Sequence, residues 1–424
     1  MDINTDLESI AASIVENTKA IGEYRLKDSS GNIQLLPRDA PQEAQHARQL
    51  LLQASIQLQQ LCTEPSEFLD QAQIHYQQLS AFQWLIHFQI LQHIPLGTDV
   101  SVAYEDIAKA ANVSSRRLKS VARMAMTGGI LAEDESQRVK HSRISAQIVS
   151  EPALLDWALF ITRYSAPTAL AFARATERWG DSKDKNETAY NLAFNTPMAF
   201  FDHVSQSEEM TQHFAGYMRG QGRSSGLAVE HLITGYDWAR LGPAHVVDVG
   251  GSTGQIALML ASNFPDLSFT IEDLPSTIEE SRIQLRDIDP SIASRISLKA
   301  HDFMQPQPHE ISHLADVYLL RKILHDWPTA TAHKILQNLV SSMKPGARIV
   351  VMDTILPLPG TFPTPQEAAL RVRDLIMAQN FNSNERERDD WIELFGSTTP
   401  PLRLNNEWQS MKSVMAVMEL VIQE

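Results

Sequence analysis

The chain has 424 residues, with 36 Lys and Arg against 51 Asp and Glu and a formal charge of −15. A length beyond about 250–300 residues predicts more than one domain, and 43% hydrophobic with 21% charged residues excludes disorder throughout. So acidic a chain repels phosphate backbones, which excludes general nucleic-acid binding, and its one cysteine, Cys62, closes no internal disulfide and builds no zinc site.

The opening MDINTDLESIAASIVENTKA is acidic and lacks the apolar run of a signal peptide. No window offers about 18 consecutive apolar residues, so no membrane span and no membrane partner are expected. Together with the lone cysteine this predicts a cytoplasmic protein. Residues 27–41, with Gly, Asn and two prolines, read as a loop. From Gln42 to Cys62, Ala47, Leu50, Leu51, Ala54, Leu58 and Leu61 recur at helical spacing. A second helix is expected from Ser66 to Gln92. Its apolar residues lie on several faces, as in a subunit interface or a core helix.

Residues 102–148 read as a winged helix-turn-helix: two short helices, the second opened by a serine cap, then two short strands. Arg116, Arg117, Lys119 and Arg123 on the second helix fit DNA binding. The acidic net charge favours a structural or dimerisation module instead. Helices are also expected at 153–164, around Met210–Met218 and at 224–238, and a polar loop at 179–191. The domain boundaries expected are 1–150 for a helical and winged-helix dimerisation domain, 151–240 for a helical connector lining a substrate pocket, and 241–424 for a catalytic domain.

At His245 the pattern changes to alternating strands and helices. Strands are expected at 246–249, 267–273, 296–300, 316–320 and 347–356, with helices at 254–264 and 329–344. This alternation implies an α/β fold, a doubly wound parallel sheet, whose ligands bind at the C-terminal ends of the strands.

Three of those ends carry acids. VVDVGGSTG places Asp248 at the head of a turn with Gly250, Gly251 and Gly254, where glycine lets the backbone turn sharply and approach a ligand. The spacing is D-x-G-x-x-x-G, not the dinucleotide fingerprint, and suits a cationic amino-acid-bearing ligand better than a pyrophosphate. Asp273 follows the second strand, where an acid accepts hydrogen bonds from ribose hydroxyls. Asp302 and Phe303 follow the third and suit an adenine. After the fourth strand, LLRKILHDWP places His325 where a substrate meets such a ligand, and histidine is the natural general base for a phenol. Asp326 is adjacent, and Asp353 or Glu385 can orient the imidazole. Trp157, Phe160, Phe200, Phe201, Met218, Met377 and Asn380 are candidates to line the pocket.

The set VDVGGSTG, IEDLP, HDF, LLRKILHDW, PGARIVVMDTILP and NERERDDW resembles the plant and fungal S-adenosylmethionine-dependent O-methyltransferases of the caffeic-acid type, over residues 40–424. The fungal secondary-metabolite branch is the closer match. The resemblance implies a Rossmann-like S-adenosylmethionine-binding domain behind an N-terminal winged-helix dimerisation domain, and a homodimer. It implies that Asp248, Gly250, Gly251 and Gly254 surround the methionine part of the cofactor, that Asp273 and Leu274 hold the ribose and flank the adenine, and that Asp302 and Phe303 bind the adenine. Arg321 falls where the family often has a lysine near the cofactor. His325 is implied as the base, with Asp353 and Glu385 as its partners. No metal is predicted.

Three positions depart from the family: Ser252 replaces a third glycine, Asp353 is a methylene shorter than the usual Glu, and Lys322 brings a second cation to the base. The expected function is O-methylation of a phenolic or enolic secondary metabolite, an aromatic or polyketide small molecule. The alternative is a pericyclase or dehydratase of the same fold, which binds S-adenosylmethionine without transferring methyl and rearranges a polyketide or 2-pyridone. Lys322, Arg321, His325 and His141 would then polarise a carbonyl.

Overall fold

The computed structural model describes residues 3–24, 26–27, 33–34, 36, 40–97, 100–222, 226, 228–410 and 413–423. Much of the loop expected at 27–41, and residues 224, 225 and 227 of the helix expected at 224–238, lie outside them. The chain packs into two compact units. One comprises Met1–Leu170, Phe201–Gln221 and Pro359–Ala369; the other comprises Ala171–Phe200, Gly222–Leu358 and Leu370–Glu424. Among the described residues no single helix is long and apolar enough to cross a membrane.

In the first unit the helices Ile3–Gly22 and Gln42–Cys62 precede a helix from Pro65 to His87. A minimal antiparallel pair, β1 (Leu26–Lys27) and β2 (Ile33–Gln34), lies between the first two. The single helix expected from Ser66 to Gln92 is broken. Gln89 takes a left-handed φ of 54°, and a 3-10 turn, Ile90–His93, follows. Apolar periodicity alone does not reveal such a break, because both pieces bury their apolar residues in the same core.

The winged helix forms as expected. Its helices are Tyr104–Ala110 and Ser115–Thr127, and the Ser114 hydroxyl accepts from the Arg117 amide. The wing is β3 (Leu131–Glu133) against β4 (Val139–His141). Leu85, Ile90, Leu91, Ile107, Leu118 and Val139 meet in one buried core. Each such side chain contributes roughly 1.5–3 kcal/mol of burial. The basic face is partly used internally, since Arg123 Nε pairs with Glu133 Oε1 at 2.9 Å and Lys119 Nζ bonds Gln137 at 3.0 Å. His141 is corrected as a carbonyl-polarising candidate. Its ring nitrogens lie 2.9 Å from Ser145 Oγ and 3.0 Å from the Ile94 carbonyl, so both are used within the winged helix.

The second unit is built on a sheet. Its strands are β5 (His245–Val249), β6 (Ser268–Asp273), β7 (Ile296–Ala300), β8 (Val317–Arg321), β9 (Arg348–Leu356), β10 (Arg386–Glu387), β11 (Leu402–Trp408) and β12 (Met415–Ile422). The order is β11-β12-β9-β8-β5-β6-β7, with β10 beside the end of β9. Strands β5 to β9 run parallel, and β12 is antiparallel to β9. The order reverses at β5 and β8, which makes their C-terminal ends the ligand-binding crevice of a doubly wound sheet. Both faces are covered. Val247, Tyr318, Leu320 and Val351 pack against the helix Thr329–Val340 and against Trp391 and Phe395. Val246, Phe269, Ile271 and Val350 pack against the helix Gln255–Asn263 and Trp238. Burial on both faces explains why β5, β8 and β9 carry nearly continuous apolar runs, whereas β6 alternates. In the described part of the helix expected at 224–238, only Glu230–Gly235 is α-helical.

One buried acid strains this sheet. Glu272 on β6 is 1% exposed, accepts one bond from Gln307 Nε2 at 2.8 Å, and leaves Oε1 without a partner among the described residues. Burial pushes its carboxyl up to about 7. The folded chain therefore binds this proton more tightly than the unfolded chain. Stability then falls as pH rises from the ordinary glutamate range through about 7. Glu272→Gln keeps the shape and removes the charge. It is expected to raise the melting temperature at pH 8, by an effect on the order of 2 kcal/mol, and to change little at pH 5. Thermal melts at the two pH values measure this.

Candidate active site

The site is assembled at the C-terminal ends of the parallel strands, within the second unit. After β5 the chain turns through Gly250 at φ 69°, Ser252 at φ 51° and Gly254 at φ 81°, and then enters the helix Gln255–Asn263. A β-carbon on Gly250 would lie 2.6 Å from Ile323 Cδ1, and one on Gly251 would lie 2.8 Å from the Asp248 carboxylate. Gly250 needs glycine for its backbone angle and Gly251 for space. Ser252, which replaces the family's third glycine, adopts the left-handed region all the same. Its amide donates to Asp273 Oδ2 at 2.8 Å, while the Leu274 amide donates to Oδ1 of the same carboxylate at 2.8 Å. Asp273 thus ties the glycine turn to the end of β6 and keeps further lone pairs for a ligand.

Asp248 is buried, and its Oδ2 has no hydrogen-bond partner among the described residues. Burial pushes its carboxyl up to about 7, against the opposing pull of Arg321. Beyond β7, Asp302 Oδ1 accepts from the Met304 amide at 2.9 Å in a tight turn. This turn brings the Phe303 ring beside the glycine loop, 3.5 Å from the place of a Gly250 β-carbon. Leu274 is 52% exposed. An unsatisfied carboxylate under a glycine-rich turn, two anchored acids, an exposed leucine and an aromatic edge fit a cationic amino acid joined to a nucleoside. These are the groups of S-adenosylmethionine.

His325 sits in the 3-10 turn Leu324–Asp326 after β8 and is buried. Its Nδ1 lies 3.1 Å from Glu385 Oε1 and 4.0 Å from Asp353 Oδ1, and its Nε2 lies 3.4 Å from Asp326 Oδ1. Sequence left Asp353 and Glu385 as equal partners. The geometry makes Glu385 the hydrogen-bond partner and Asp353 an electrostatic neighbour one layer back. Burial alone would push the imidazole down, but Asp353, Asp326 and Glu385 outweigh it and lift it to about 9. Asp353 is raised to about 6 by burial, against the pull of His325. Burial also acts to raise Glu385, but His325 outweighs it and holds this carboxyl below the usual range. A proton on Nδ1 directed at Glu385 leaves the lone pair on Nε2.

Lys322 has a left-handed φ of 57°, and its amide donates to the Met352 carbonyl at 3.1 Å. Burial, with Arg373 and Arg321 adding to it, lowers its ammonium to about 8; Asp326 and Asp353 oppose. Arg321 is likewise lowered by burial and held charged by Asp248 and Asp353.

Sequence reasoning missed the residues that hold His325 in place. Arg386 is fully buried, and its guanidinium donates to the carbonyls of Leu324 and Trp327, both at 2.8 Å. It lies over the Trp391 ring at 5.1 Å. The Ser383 hydroxyl donates to the His325 carbonyl at 2.9 Å, and Asp374 accepts from the Glu385 amide at 3.0 Å. The run NERERDDW contains Arg386, but in an acidic stretch nothing marks which arginine is buried. Of the pocket candidates, Trp157, Phe160, Phe201 and Met218 belong to the first unit and Phe200, Met377 and Asn380 to the second.

The family model for the O-methyltransferase domain matches residues 180–399. The O-methyltransferase VdtC of Byssochlamys spectabilis is 47% identical over 98% of this chain and 98% of its own length. The O-methyltransferase pgmB of Aspergillus terreus is 41% identical over 98% of this chain and 95% of its own length. Among solved structures the fold matches OxaC with a TM-score of 0.78 at 18% identity, over 99% of this chain and 100% of that one. It also matches a chain described as a pericyclic reaction enzyme, with a TM-score of 0.73 at 20% identity over 98% and 100%. Relatives this similar over nearly their whole length, with a family model matching half of the chain, place it: the chain belongs to the S-adenosylmethionine-dependent O-methyltransferase family.

Proposed function

We propose that this chain methylates a hydroxyl of an aromatic or polyketide-derived small molecule, with His325 as general base. The observation that carries the reading is the buried His325–Glu385 contact at 3.1 Å, which leaves Nε2 to take a proton. S-adenosylmethionine, when bound, supplies an electrophilic methyl group. Asp248 and the turn 250–254 meet its amino-acid end, Asp273 and Leu274 its ribose and adenine, and Asp302 with Phe303 its ring. Arg321 opposes the burial that raises the Asp248 carboxyl. His325 accepts the hydroxyl proton at Nε2. Glu385 holds the Nδ1 proton, and Asp353 and Asp326 stabilise the resulting imidazolium. Lys322, opposite Asp326, steadies developing negative charge on the acceptor. Cations this close to the base also favour the second reading, polarisation of a carbonyl in a rearrangement without methyl transfer.

The test is incubation with methyl-deuterated S-adenosylmethionine and a mixture of phenols, polyketide enols and 2-pyridone alcohols, followed by mass spectrometry. A product heavier by one labelled methyl is expected. An unlabelled isomer, or a product lighter by water, would overturn methyl transfer in favour of the rearrangement.

The chain pairs with a second copy through its N-terminal helices. Phe68, Leu69 and Tyr76 on the helix Pro65–His87 are 63%, 65% and 56% exposed, an apolar surface that a lone chain leaves in water. Sedimentation is expected to give a dimer, and Phe68→Asp with Leu69→Asp to shift it to the monomer. The cell's cytoplasm is the compartment that a lone exposed thiol, Cys62, fits.

A further inference from the structure

In the first unit the helix Pro152–Phe160 widens into a π-helical turn, Ile161–Ser165, before Ala166–Trp179 continues. Such turns are rare and concentrate where a ligand is handled. Gln83 Nε2 donates to the Thr162 carbonyl at 3.2 Å and braces the turn. The helix Glu208–Gly222 packs closely on this segment. A β-carbon at Gly216 would lie 2.1 Å from Asp156 Cβ, and one at Gly220 would lie 2.8 Å from the Trp157 ring. Both glycines let the two backbones approach, which fixes the wall between them.

That wall is aromatic. Phe160 stacks on Tyr217 with centroids 4.6 Å apart at 17°, and lies 5.5 Å from both Phe214 and Tyr164. His213 stands at its edge, 6.2 Å from the Tyr164 ring. It is 5% exposed, and its Nδ1 has no hydrogen-bond partner among the described residues. The charges around it are engaged elsewhere: Arg163 pairs with Glu209, and Asp156 faces Arg219 at 3.7 Å. Burial lowers the imidazole below its ordinary range, so the ring is neutral at pH 7 and offers one donor and one acceptor. A buried polar nitrogen left unpaired costs about 1–3 kcal/mol, and a ligand's polar group is one way to recover it.

We propose that His213 and the Phe160–Phe214–Tyr217 wall form a recognition subsite for a planar aromatic molecule, with His213 Nδ1 hydrogen-bonding its hydroxyl or carbonyl. The subsite is built within the first unit, and its occupant is set by its chemistry: a planar ring that carries a hydroxyl or carbonyl. His213 selects which aromatic is held, and its contribution is to binding rather than to proton transfer.

The experiment compares 1-naphthol with naphthalene, which differ only in the hydroxyl, by calorimetric titration of the full chain. The unaltered chain is expected to bind 1-naphthol about tenfold more tightly, the worth of one hydrogen bond. His213→Phe is expected to bring that ratio to about one while naphthalene affinity is kept, which also shows that the variant is folded. His213→Asn, which retains a donor and an acceptor, restores part of the preference. Phe214→Leu weakens both probes together. An undiminished ratio in His213→Phe, or no binding of either probe to the unaltered chain, overturns the subsite; if His213→Phe does not fold, an undiminished ratio in His213→Leu does so.

Discussion

His325→Ala lowers kcat for methyl transfer about 1,000-fold, the usual contribution of a positioned general base, and leaves the dissociation constant for S-adenosylhomocysteine unchanged. The separation follows from place. His325 lies after β8 and is held by Glu385, Ser383 and Arg386, whereas the residues assigned to the cofactor, Arg321 on β8 apart, lie at or beyond the ends of β5, β6 and β7. The pH profile carries the same signature. With the imidazole at about 9, roughly one molecule in a hundred has it neutral at pH 7, so kcat/KM rises about tenfold per unit above pH 7 and levels near 9. Asp353→Asn takes away the carboxylate that lifts the imidazole most and moves this rise to lower pH. A profile that is flat from pH 7 to 9 would remove His325 from the role of base. The same linkage acts on stability. A folded imidazole at about 9, above its ordinary value near 6.5, contributes stability fully present below about 6.5 and lost as pH rises through 9.

Asp273→Ala raises the dissociation constant for S-adenosylmethionine at least about 100-fold. Two losses combine. One is the acceptor proposed for the ribose hydroxyls; bonds to a charged group are worth about 1.5–3 kcal/mol. The other is the link from the Ser252 amide to the end of β6, which holds the turn in its left-handed shape. Asp273→Asn keeps one amide acceptor and is expected to lose less. Calorimetric titration with S-adenosylhomocysteine measures both variants. Affinity unchanged in Asp273→Ala would place the ribose elsewhere. Paired with His325→Ala, the two variants separate binding from chemistry, since each is expected to spare what the other removes.

Much of the catalytic half was legible in the residues. The apolar run at 246–249 forms β5 within a residue of its expected bounds, because a strand buried on both faces leaves an uninterrupted apolar signal, whereas β7 matches 296–300 as a partly exposed edge strand in which Ile, Leu and Ala alternate with polar residues. The acids at their ends were found by the same logic, since a parallel sheet gathers the residues that follow each strand. The order of strands at the far edge, β9-β12-β11, was not legible. Antiparallel additions are set by pairing partners far apart in the chain, and local periodicity does not encode those.

By itself, the sequence determined the kind of protein this is: an α/β chain with a glycine turn, acids at successive strand ends, and a histidine in reach of a nucleoside-bound cation. Those features are local, written in residue type and spacing. Only the tertiary structure decided between Glu385 and Asp353, because a 60-residue separation becomes 3.1 Å through the return of the chain at β10. It also sorted the histidines. His141 spends both nitrogens on Ser145 and Ile94, His325 holds one toward Glu385, and His213 keeps Nδ1 buried and without a partner among the described residues. Position after a strand end set His325 apart in the sequence, but nothing there separated the other two. Their roles differ because the state of an imidazole depends on which polar groups share its buried surroundings, and packing alone sets that.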